Sequence, residues 1–278
     1  MNKEFSVLMS VYKSDKAEYL LRALESVSFE QTLKPNQIVL VIDGPVDDEI
    51  HKVILNFRTK LDDNITFNVI AKEKNEGLAA ALNTGISACT NELIARMDSD
   101  DISLPERFEL QLCYMEKHPQ TAVLGGNILE FETDENVIAD KREVPSEHKD
   151  ILEMLKTRNP INHMSVMFNK NVISEIGGYC ENFGKLEDYK LWVDVAAKNY
   201  DIHNLPNNLV KARIGDGFLE RRSNKREIED WDRLQQYLLS LGMINKAKAR
   251  KNRMYIRIFT YMPKWIKKIV YKTILRKR

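Results

Sequence analysis

Ten residues decide the fold of this 278-residue chain: Glu92-Leu93-Ile94-Ala95-Arg96-Met97-Asp98-Ser99-Asp100-Asp101. They join an apolar run of strand length to an acidic turn with three carboxylates in four residues. Upstream, the β-branched run 37–42 stops in the same way at Asp43-Gly44-Pro45. Two buried strands that both end in acidic turns indicate an α/β sheet with polar groups along one edge.

Strand and helix signals alternate through the first half of the chain. Apolar runs of strand length and stretches with helical spacing follow one another in the order 5–11, 16–28, 37–42, 47–61, 65–70, 77–88, 92–97, a helix opened by Pro105, and 122–129. This alternation predicts a mostly parallel sheet with helices on both faces. Ligands of such sheets bind at the carboxyl ends of the strands, so we expect a site beside Asp43 and the acidic turn.

Beyond Pro145 the alternation weakens. The pattern predicts helices at 146–157, 187–198 and 224–241, a strand at 164–168, and a turn-rich segment at 204–217. No repeat or low-complexity segment is present in the sequence. We therefore expect the second half to elaborate one domain.

Composition narrows the class of protein. No apolar run approaches the ~20 residues that a transmembrane helix needs, and the first residues are too acidic for a signal peptide. Cys89, Cys113 and Cys180 lie far apart and give neither a disulfide framework nor a metal-ligand spacing. These features predict a cytoplasmic protein with reduced thiols.

Charge is distributed unevenly along the chain. Thirteen of the 42 Lys and Arg residues lie in 244–278, which contains no Asp or Glu. The first 243 residues therefore hold 29 basic and 41 acidic residues, a net charge of −12. Helical spacing in the tail sets an apolar face against a basic one, with Trp265, Ile266, Ile269 and Val270 opposite Lys264, Lys267, Lys268 and Lys272. The pattern is typical of a helix at an anionic membrane surface; the alternative is a helix packed on the acidic body.

The acidic turn has two interpretations. Three carboxylates at one strand end repel one another unless a cation lies among them. Oxygen ligands suit Mg²⁺ or Mn²⁺, which bind a few carboxylates together with substrate phosphates. The alternative is a solvated turn that caps the next helix, because Asp and Ser are common N-caps.

Several short motifs follow one another in a fixed order along the chain: Ser10-Val11-Tyr12, Asp43-Gly44-Pro45, Asn75-Glu76-Gly77-Leu78-Ala79-Ala80-Ala81-Leu82-Asn83, Asp98-Ser99-Asp100-Asp101, and Gly177-Gly178-Tyr179 with Glu187-Asp188-Tyr189-Lys190-Leu191-Trp192. This series resembles glycosyltransferase family 2, the inverting nucleotide-sugar transferases of the GT-A fold. The resemblance covers roughly 4–215 and is closest to bacterial members that build O-antigen, capsule and exopolysaccharide units. Many relatives differ at Lys13, where they carry Asn, and at Ile42, where they carry Asp.

The resemblance implies transfer of a hexose from a UDP-sugar to an undecaprenyl-diphosphate-linked saccharide. Asp100 and Asp98 would hold Mn²⁺ or Mg²⁺ against the departing diphosphate, with Asp98 also near the ribose and sugar. The other implied nucleotide-sugar contacts are Ser10, Tyr12, Asp43, Asn75 and Arg96. Tyr12 would stack on the base and Asp43 would accept from the uracil N–H; the alternatives are a tyrosine that only packs and an aspartate that only shapes a turn.

The resemblance also implies a catalytic base. Asp188 would take the proton from the acceptor hydroxyl, a role that suits an aspartate because it is ionised at neutral pH. Glu187 would orient the acceptor or support the base. The alternative is that both carboxylates simply favour a helix N-terminus.

Four further residues are candidates for the acceptor or diphosphate side: His163, Arg213, Arg221 and Arg222. Similar proteins carry a His near the acceptor, and the arginines flank a Gly-containing segment that could deliver them to a diphosphate. The alternatives are a structural histidine and solvated surface arginines.

These inferences predict a GT-A catalytic domain at 1–215, with a nucleotide-sugar half at about 1–130 and an acceptor half at about 131–215. Residues 216–278 would form a helical, basic extension that holds the enzyme on the inner face of the cell membrane. A sugar-phosphate nucleotidyltransferase would need a Gly-rich loop after the first strand, and 10–14 contains no glycine. Nucleic acid is not an expected partner, because recognised binding motifs are absent from the sequence and the body is acidic.

Overall fold

The computed structural model describes residues 4–214, 225–263 and 266–267. Within these residues the chain forms nine strands: β1 (Phe5–Val11), β2 (Gln37–Ile42), β3 (Thr66–Ala71), β4 (Leu93–Met97), β5 (Ile102–Ser103), β6 (Thr121–Phe131), β7 (Ile138–Arg142), β8 (Met167–Asn169) and β9 (Asp201–Arg213). They join in one sheet of order β3-β2-β1-β4-β8-β6-β9-β5, with β7 paired to β6.

Helices cover both faces of this sheet. They are α1 (Ala17–Ser26), α2 (Asp48–Lys60), α3 (Leu78–Ala88), α4 (Arg107–Lys117), α5 (His148–Leu155), α6 (Lys170–Glu175), α7 (Glu187–Ala197), α8 (Lys225–Ser240) and α9 (Lys246–Tyr261), with 3₁₀ turns at His163–Ser165 and Glu181–Leu186. Apolar residues of α1, α2 and α4 pack in one core cluster. Those of α3, α5, α7 and α8 pack in the other. The α/β class with helices on both faces is confirmed.

Strands β3, β2, β1 and β4 are neighbours in the sheet and run parallel, as the alternation predicts. The side chains of β1, β2 and β4 are buried on both faces: Leu8, for example, faces one core cluster while its neighbours Val7 and Met9 face the other. Strands covered on both faces read as continuous apolar runs and not as alternating ones. This explains why β1, β2 and β4 are recognisable from the sequence.

The second half of the sheet is mixed. Strand β8 is antiparallel to both β4 and β6, and β5 is antiparallel to β9, whereas β6 and β9 are parallel. The expected strand at 164–168 is displaced: a 3₁₀ turn occupies His163–Ser165 and the strand starts at Met167.

The prediction of a turn-rich segment at 204–217 is wrong for most of its length. Residues 201–213 form the long strand β9, which pairs along β6 with register shifts at Gly126/Asn127 and Asn127/Ile128. The Pro206-Asn207-Asn208 sequence lies opposite these shifts, and the Asn127 amide donates to the Pro206 carbonyl over 2.8 Å. Turn-forming residues here mark a bulge inside a strand.

The basic C-terminal segment begins as part of the fold. Ile244 and Ala249 are buried against the rest of the protein, and Asn252 donates to the Lys156 carbonyl and to Gln235, both over 2.8 Å. Trp265, Ile269 and Val270, with Lys264, Lys268 and Lys272, lie outside the described residues. Within the described part of the chain, no helix is both long enough and apolar enough to cross a membrane.

We predict that Leu8→Ala lowers the free energy of unfolding by about 2–5 kcal/mol, because it leaves a cavity among fully buried neighbours in β2 and α3. The matched control is Leu55→Ala on α2, where the leucine is 63% exposed, and we expect a change within about 0.5 kcal/mol. Urea unfolding followed by circular dichroism measures both. Equal losses in the two variants would contradict the packing described here.

Candidate functional site

The candidate site lies at the edge of the sheet where three neighbouring parallel strands end. Strands β2, β1 and β4 are neighbours, and Asp43, Tyr12 and Asp98 follow their carboxyl ends. Tyr12 is 46% exposed at this edge, whereas Asp43 is buried. Ser10 lies one residue before the end of β1, in register with Val41. The structure therefore brings together the ends of the strands from which the sequence predicts a site.

Four carboxyl groups crowd the end of β4. Asp98, Asp100 and Asp101 belong to the turn itself, and the fourth is Asp15, from the loop after β1. Asp15 Oδ2 accepts from the Ser99 hydroxyl over 2.8 Å and from the Tyr12 amide over 3.0 Å. Asp15 is not among the site residues that the sequence predicts. Its only local signal is its position three residues after Tyr12, where an aspartate can accept from the backbone of a turn.

Burial and mutual repulsion perturb this acidic cluster, which consists of Asp15, Asp98, Asp100 and Asp101. Burial, followed by the charges of Asp98 and Asp15, raises the pKa of Asp100 to about 6. Burial and the neighbouring Asp100 and Asp98 raise the pKa of Asp101 well above its usual range. Carboxyl groups held together in this way gain most from a cation placed among them.

Two buried arginines lie beneath the acidic cluster. Arg96, 2% exposed, forms an ion pair with Asp98. Arg107, in the first turn of α4, donates to the carbonyls of Arg96 (2.7 Å) and Val166 (3.3 Å) and to Gln111. Burial, and then the charge of Arg96, lower the pKa of Arg107 to about 9.

Gln111, the hydrogen-bond partner of Arg107, makes further bonds to the backbone beneath the acidic cluster. Its amide donates to the carbonyls of Leu124 and Ser165, both over 2.9 Å. Arg107 and Gln111 together therefore fix the end of β4 to β6 and to the segment before β8. Neither residue can be predicted from the sequence, because long polar side chains on a helix usually indicate its solvent face.

Arg213 lies at the acidic cluster and supports its backbone. Its amide donates to Asp101 over 2.8 Å and its guanidinium donates to the Asp100 carbonyl over 3.2 Å. The guanidinium also lies 3.8 Å from the ring centre of Tyr19 and 4.5 Å from that of Phe131. Arg213 is thus held in place by two rings and the turn. Arg221 and Arg222 lie outside the described residues.

Asp43 and Asn75 meet at the start of α3. The Asp43 carboxylate accepts from the amides of Glu76 and Gly77, both over 2.9 Å, and Asn75 donates to the Asp43 carbonyl. Gly44 has φ +84°, and a Cβ there would lie 2.5 Å from the Asn75 nitrogen. The Asp43-Gly44 pair therefore holds the loop before α3, and each carboxylate oxygen keeps a lone pair for a further donor.

The Gly177-Gly178-Tyr179 motif is tied to the first half of the chain by Asn83. The Asn83 side chain accepts from the Tyr179 amide and donates to the Tyr179 carbonyl, both over 2.8 Å. Gly178 has φ +72°, and a Cβ there would lie 2.5 Å from Asn83 Oδ1. We refer to this pair of hydrogen bonds as the Asn83 clip. It fixes the entry to α7 against α3.

His163 is buried below this segment. Its Nε2 lies 2.7 Å from the Tyr179 hydroxyl, and its ring lies edge-on to Trp192. Burial, and then the charge of Arg96, lower the pKa of His163 well below its usual range. This lowered pKa favours the neutral imidazole, and the contact with the hydroxyl positions Tyr179 from inside the protein.

The two carboxyl groups at the start of α7 differ in their surroundings. Glu187 is 7% exposed, and burial followed by the charge of Asp188 raises its pKa to about 8. Asp188 is half-buried; its carboxylate accepts from Asn159 over 2.7 Å and from the Tyr189 amide over 2.6 Å. Both lie in the first turn of the helix, where the dipole favours negative charge. A pKa of about 8 keeps the Glu187 carboxyl group mostly protonated at neutral pH beside the Asp188 carboxylate that Asn159 and the Tyr189 amide orient.

The donor set of the acidic cluster fits a hard divalent cation that shares its ligands with a substrate. Within residues 4–214, 225–263 and 266–267, no three His, Cys, Asp or Glu side chains form a ready metal site. Mg²⁺ and similar ions are commonly bound by one or two carboxylates together with substrate phosphates. Asp98 and Asp100 would supply that part of the coordination, and a diphosphate would supply the rest.

Comparison with known proteins identifies the family. The profile of Glycosyl transferase family 2 matches residues 6–176. The amylovoran biosynthesis glycosyltransferase AmsE of Erwinia amylovora is 38% identical over 86% of this chain and 86% of its own length. The UDP-Gal:alpha-D-GlcNAc-diphosphoundecaprenol beta-1,3-galactosyltransferase of Escherichia coli is 31% identical over 99% of this chain and 97% of its own length.

A solved structure with the same fold is the mannosyltransferase PcManGT from Pyrobaculum calidifontis, in complex with GDP-Man and Mn²⁺. It is 13% identical, covers 94% of this chain and 71% of its own chain, and has a TM-score of 0.64. The sheet and its helices are thus those of a GT-A glycosyltransferase. The chain belongs to glycosyltransferase family 2 and is a glycosyltransferase.

Proposed function

We propose that this glycosyltransferase moves a hexose, with inversion, from a UDP-sugar to an undecaprenyl-diphosphate-linked saccharide in the biosynthesis of a bacterial surface polysaccharide such as O-antigen or capsule. The observation that carries the proposal is the pairing of two acidic groups in one site. The acidic cluster at the end of β4 suits a diphosphate-bound cation. The charge of one of its members, Asp98, also contributes to the raised pKa of Glu187 at the start of α7.

The names of two relatives support the substrate class. One relative, 31% identical, uses UDP-galactose and an acceptor on diphosphoundecaprenol; another, 38% identical, is assigned to amylovoran biosynthesis. Both align along most of this chain. On the donor side we assign Ser10, Tyr12, Asp43, Asn75, Arg96 and Asp98 to the nucleotide-sugar, within a donor half at about 1–130.

Asp98 and Asp100 would hold Mn²⁺ or Mg²⁺. Such a cation, when bound, neutralises the negative charge that develops on the departing diphosphate. The protein keeps Asp98 and Asp100 in place through the bonds that Arg96, Asp15 and Arg213 make to their turn. Arg213 lies close enough to Asp100 to lower its pKa, which opposes the effect of burial.

Asp188 is the proposed base. Asn159 and the Tyr189 amide fix the orientation of its carboxylate, which would accept the proton of the acceptor hydroxyl as that oxygen attacks the anomeric carbon. A single displacement inverts that carbon, so an α-linked UDP-hexose gives a β-glycoside. The acceptor half would then extend over about 131–215, where β8, α7 and β9 lie.

The extension at 216–278 is proposed to hold the enzyme on the cytoplasmic face of the membrane. Four large side chains, each at least half exposed, line one side of α9: Met254, Tyr255, Ile258 and Tyr261. Arg250, Lys251 and Arg257 are exposed on the same helix. An apolar and aromatic stripe beside basic residues suits an anionic lipid surface, and docking there would confine enzyme and lipid-linked acceptor to one plane.

The donor class is tested by hydrolysis of a panel of UDP-sugars with Mn²⁺ and without acceptor. We expect at least one UDP-hexose to be cleaved, EDTA to stop cleavage, and Mn²⁺ or Mg²⁺ to restore it. Asp100→Ala should abolish the reaction with the fold intact, whereas Asp63→Ala, at an exposed position on the far loop before β3, should not.

Because protons compete with the cation for Asp100, Mn²⁺ should bind more weakly at pH 5.5 than at pH 7.5. Full activity in EDTA would contradict the metal assignment.

Asp188→Asn tests the base. The amide is nearly isosteric but cannot take the proton at neutral pH, and loss of a general base lowers the rate by roughly 10²–10⁴-fold. Binding of UDP-sugar, measured by calorimetry, should persist. The matched control is Asp150→Asn, which changes an exposed aspartate in the first turn of α5. Turnover above about a tenth of the parent value would remove Asp188 from this role.

Ile258→Glu and Tyr261→Glu test the membrane surface. Each should weaken binding to vesicles that contain phosphatidylglycerol, measured by co-sedimentation, and leave hydrolysis of UDP-sugar unchanged. Leu55→Glu on α2 is the control for an exposed leucine away from α9. Raising the salt concentration should weaken binding of the parent protein, because screening reduces its attraction to the lipid. A parent protein that ignores anionic vesicles at low salt would overturn this surface.

A further inference from the structure

One side-chain amide reaches the proposed base from outside α7. Asn159 Nδ2 donates to Asp188 Oδ2 over 2.7 Å, and Asn159 Oδ1 accepts from the Ile161 amide over 3.1 Å. The two ends of a carboxamide differ, since the oxygen only accepts hydrogen bonds and the nitrogen only donates them. Because the oxygen binds the Ile161 amide, the nitrogen faces the Asp188 carboxylate and supplies it with a donor.

The backbone of Asn159 is fixed as well. Its carbonyl accepts from Arg142 Nη2, at the end of β7, over 3.0 Å. Pro160, which is buried, follows directly and restricts the backbone conformations open to Asn159. All of these contacts are made by the protein itself, so they anchor the amide against Asp188 before any substrate binds.

Hydrogen-bond donors are shared unequally between the two carboxyl groups at the start of α7. Asp188 accepts from Asn159 and from the Tyr189 amide, over 2.7 and 2.6 Å. Glu187 accepts from its own amide, but in the part of the chain that the structure describes its Oε2 is buried without a hydrogen-bond partner. A donor stabilises the ionised form of a carboxyl group, whereas burial favours the protonated form. The donors therefore favour a negative charge on Asp188 and a proton on Glu187.

We propose that Asn159 is the positioning residue that keeps the negative charge of this carboxyl pair on Asp188, so that Asp188 can act as the base while Glu187 stays protonated. The proposal rests on the proposed function, in which Asp188 takes the proton of the acceptor hydroxyl. Two neighbouring carboxyl groups titrate as a pair, so a change at one of them affects the proton on the other. Without the donor from Asn159, Asp188 would be protonated more readily and could not accept the acceptor proton.

Other charged and titratable groups surround the pair: Tyr179, Tyr189, Arg96, Asp98 and Arg158. Burial raises the pKa of both tyrosine hydroxyls, so they carry no charge at neutral pH. Arg96 lowers the pKa of Glu187 and Asp98 raises it, and burial outweighs both. The dipole of α7 favours negative charge on either carboxyl group. The hydrogen bond from Asn159 distinguishes the two groups, because it is made to Asp188.

The test measures kcat against pH from 5 to 9 for transfer from the UDP-hexose that the donor panel selects to a short-chain alkyl diphosphate-linked saccharide. Mn²⁺ and donor are saturating, so that protonation of Asp100 affects parent and variants alike. In Asn159→Ala we expect the acid limb of the profile to move up by about 1–2 pH units, the equivalent of one hydrogen bond to a charged group. The direction follows because loss of a donor raises the pKa of Asp188, and a higher pH is then needed to ionise it.

Asn159→Asp is the second variant, and it is nearly isosteric. Its carboxylate can still accept from the Ile161 amide but places a like charge against Asp188, so the acid limb should move at least as far. In both variants the lost activity should return as the pH rises, and UDP affinity, measured by calorimetry, should stay within twofold. Asn171→Ala, at an exposed position in α6, is the matched control and should leave the profile unchanged.

Two results would overturn the proposal. A kcat that falls equally at every pH in both variants, with the acid limb unmoved, would show that Asn159 supports only the fold. A raised acceptor KM with an unmoved acid limb would assign Asn159 to acceptor binding. Failure of the proposed function is distinguishable from either result, because Asp188→Asn would then keep its turnover or the parent protein would transfer no hexose.

Discussion

Repulsion among four carboxyl groups at the end of β4 is the constraint on which the site depends. Like charges that are partly buried together favour protonation, and the pKa of Asp100 is raised accordingly. Three interactions with the surrounding fold hold these groups in place. Arg96 forms an ion pair with Asp98, the Ser99 hydroxyl donates to Asp15, and the Arg213 guanidinium donates to the Asp100 carbonyl. Under the proposed function, a cation and a diphosphate placed among these groups would relieve their repulsion.

The sequence predicts the donor side of the fold well, for a physical reason. Strands β1, β2 and β4 are buried on both faces, so they appear as continuous apolar runs, and their acidic ends stand out against them. Strand β9 could not be predicted in the same way. Its Pro206-Asn207-Asn208 signals a turn locally, and only pairing with β6 makes it a bulge. Helix α7, in contrast, lies where its spacing predicts it.

Some of the site residues could likewise be predicted from the sequence, and others could not. Asp43, Asp98 and Asp100 could be predicted because they interrupt apolar runs. Asp15, Arg107 and Gln111 could not, since their roles arise from contacts with residues distant in the sequence. The same holds for Asn83, whose two bonds to Tyr179 span 96 residues. Short motifs thus indicate candidate ligand-binding residues but not the residues that hold those in place.

Arg107 influences the acidic cluster also between turnovers of the enzyme, when no substrate is bound. Its guanidinium is buried among carbonyls and carries its charge beneath the acidic cluster, where it acts electrostatically on Asp101 and Asp98. Part of the negative charge is therefore balanced from inside the protein, by a group that stays when products leave. Under the proposed function, the hydrogen bonds from Arg107 to the carbonyls of Arg96 and Val166 would therefore hold the base of the acidic turn in place both with and without a bound donor.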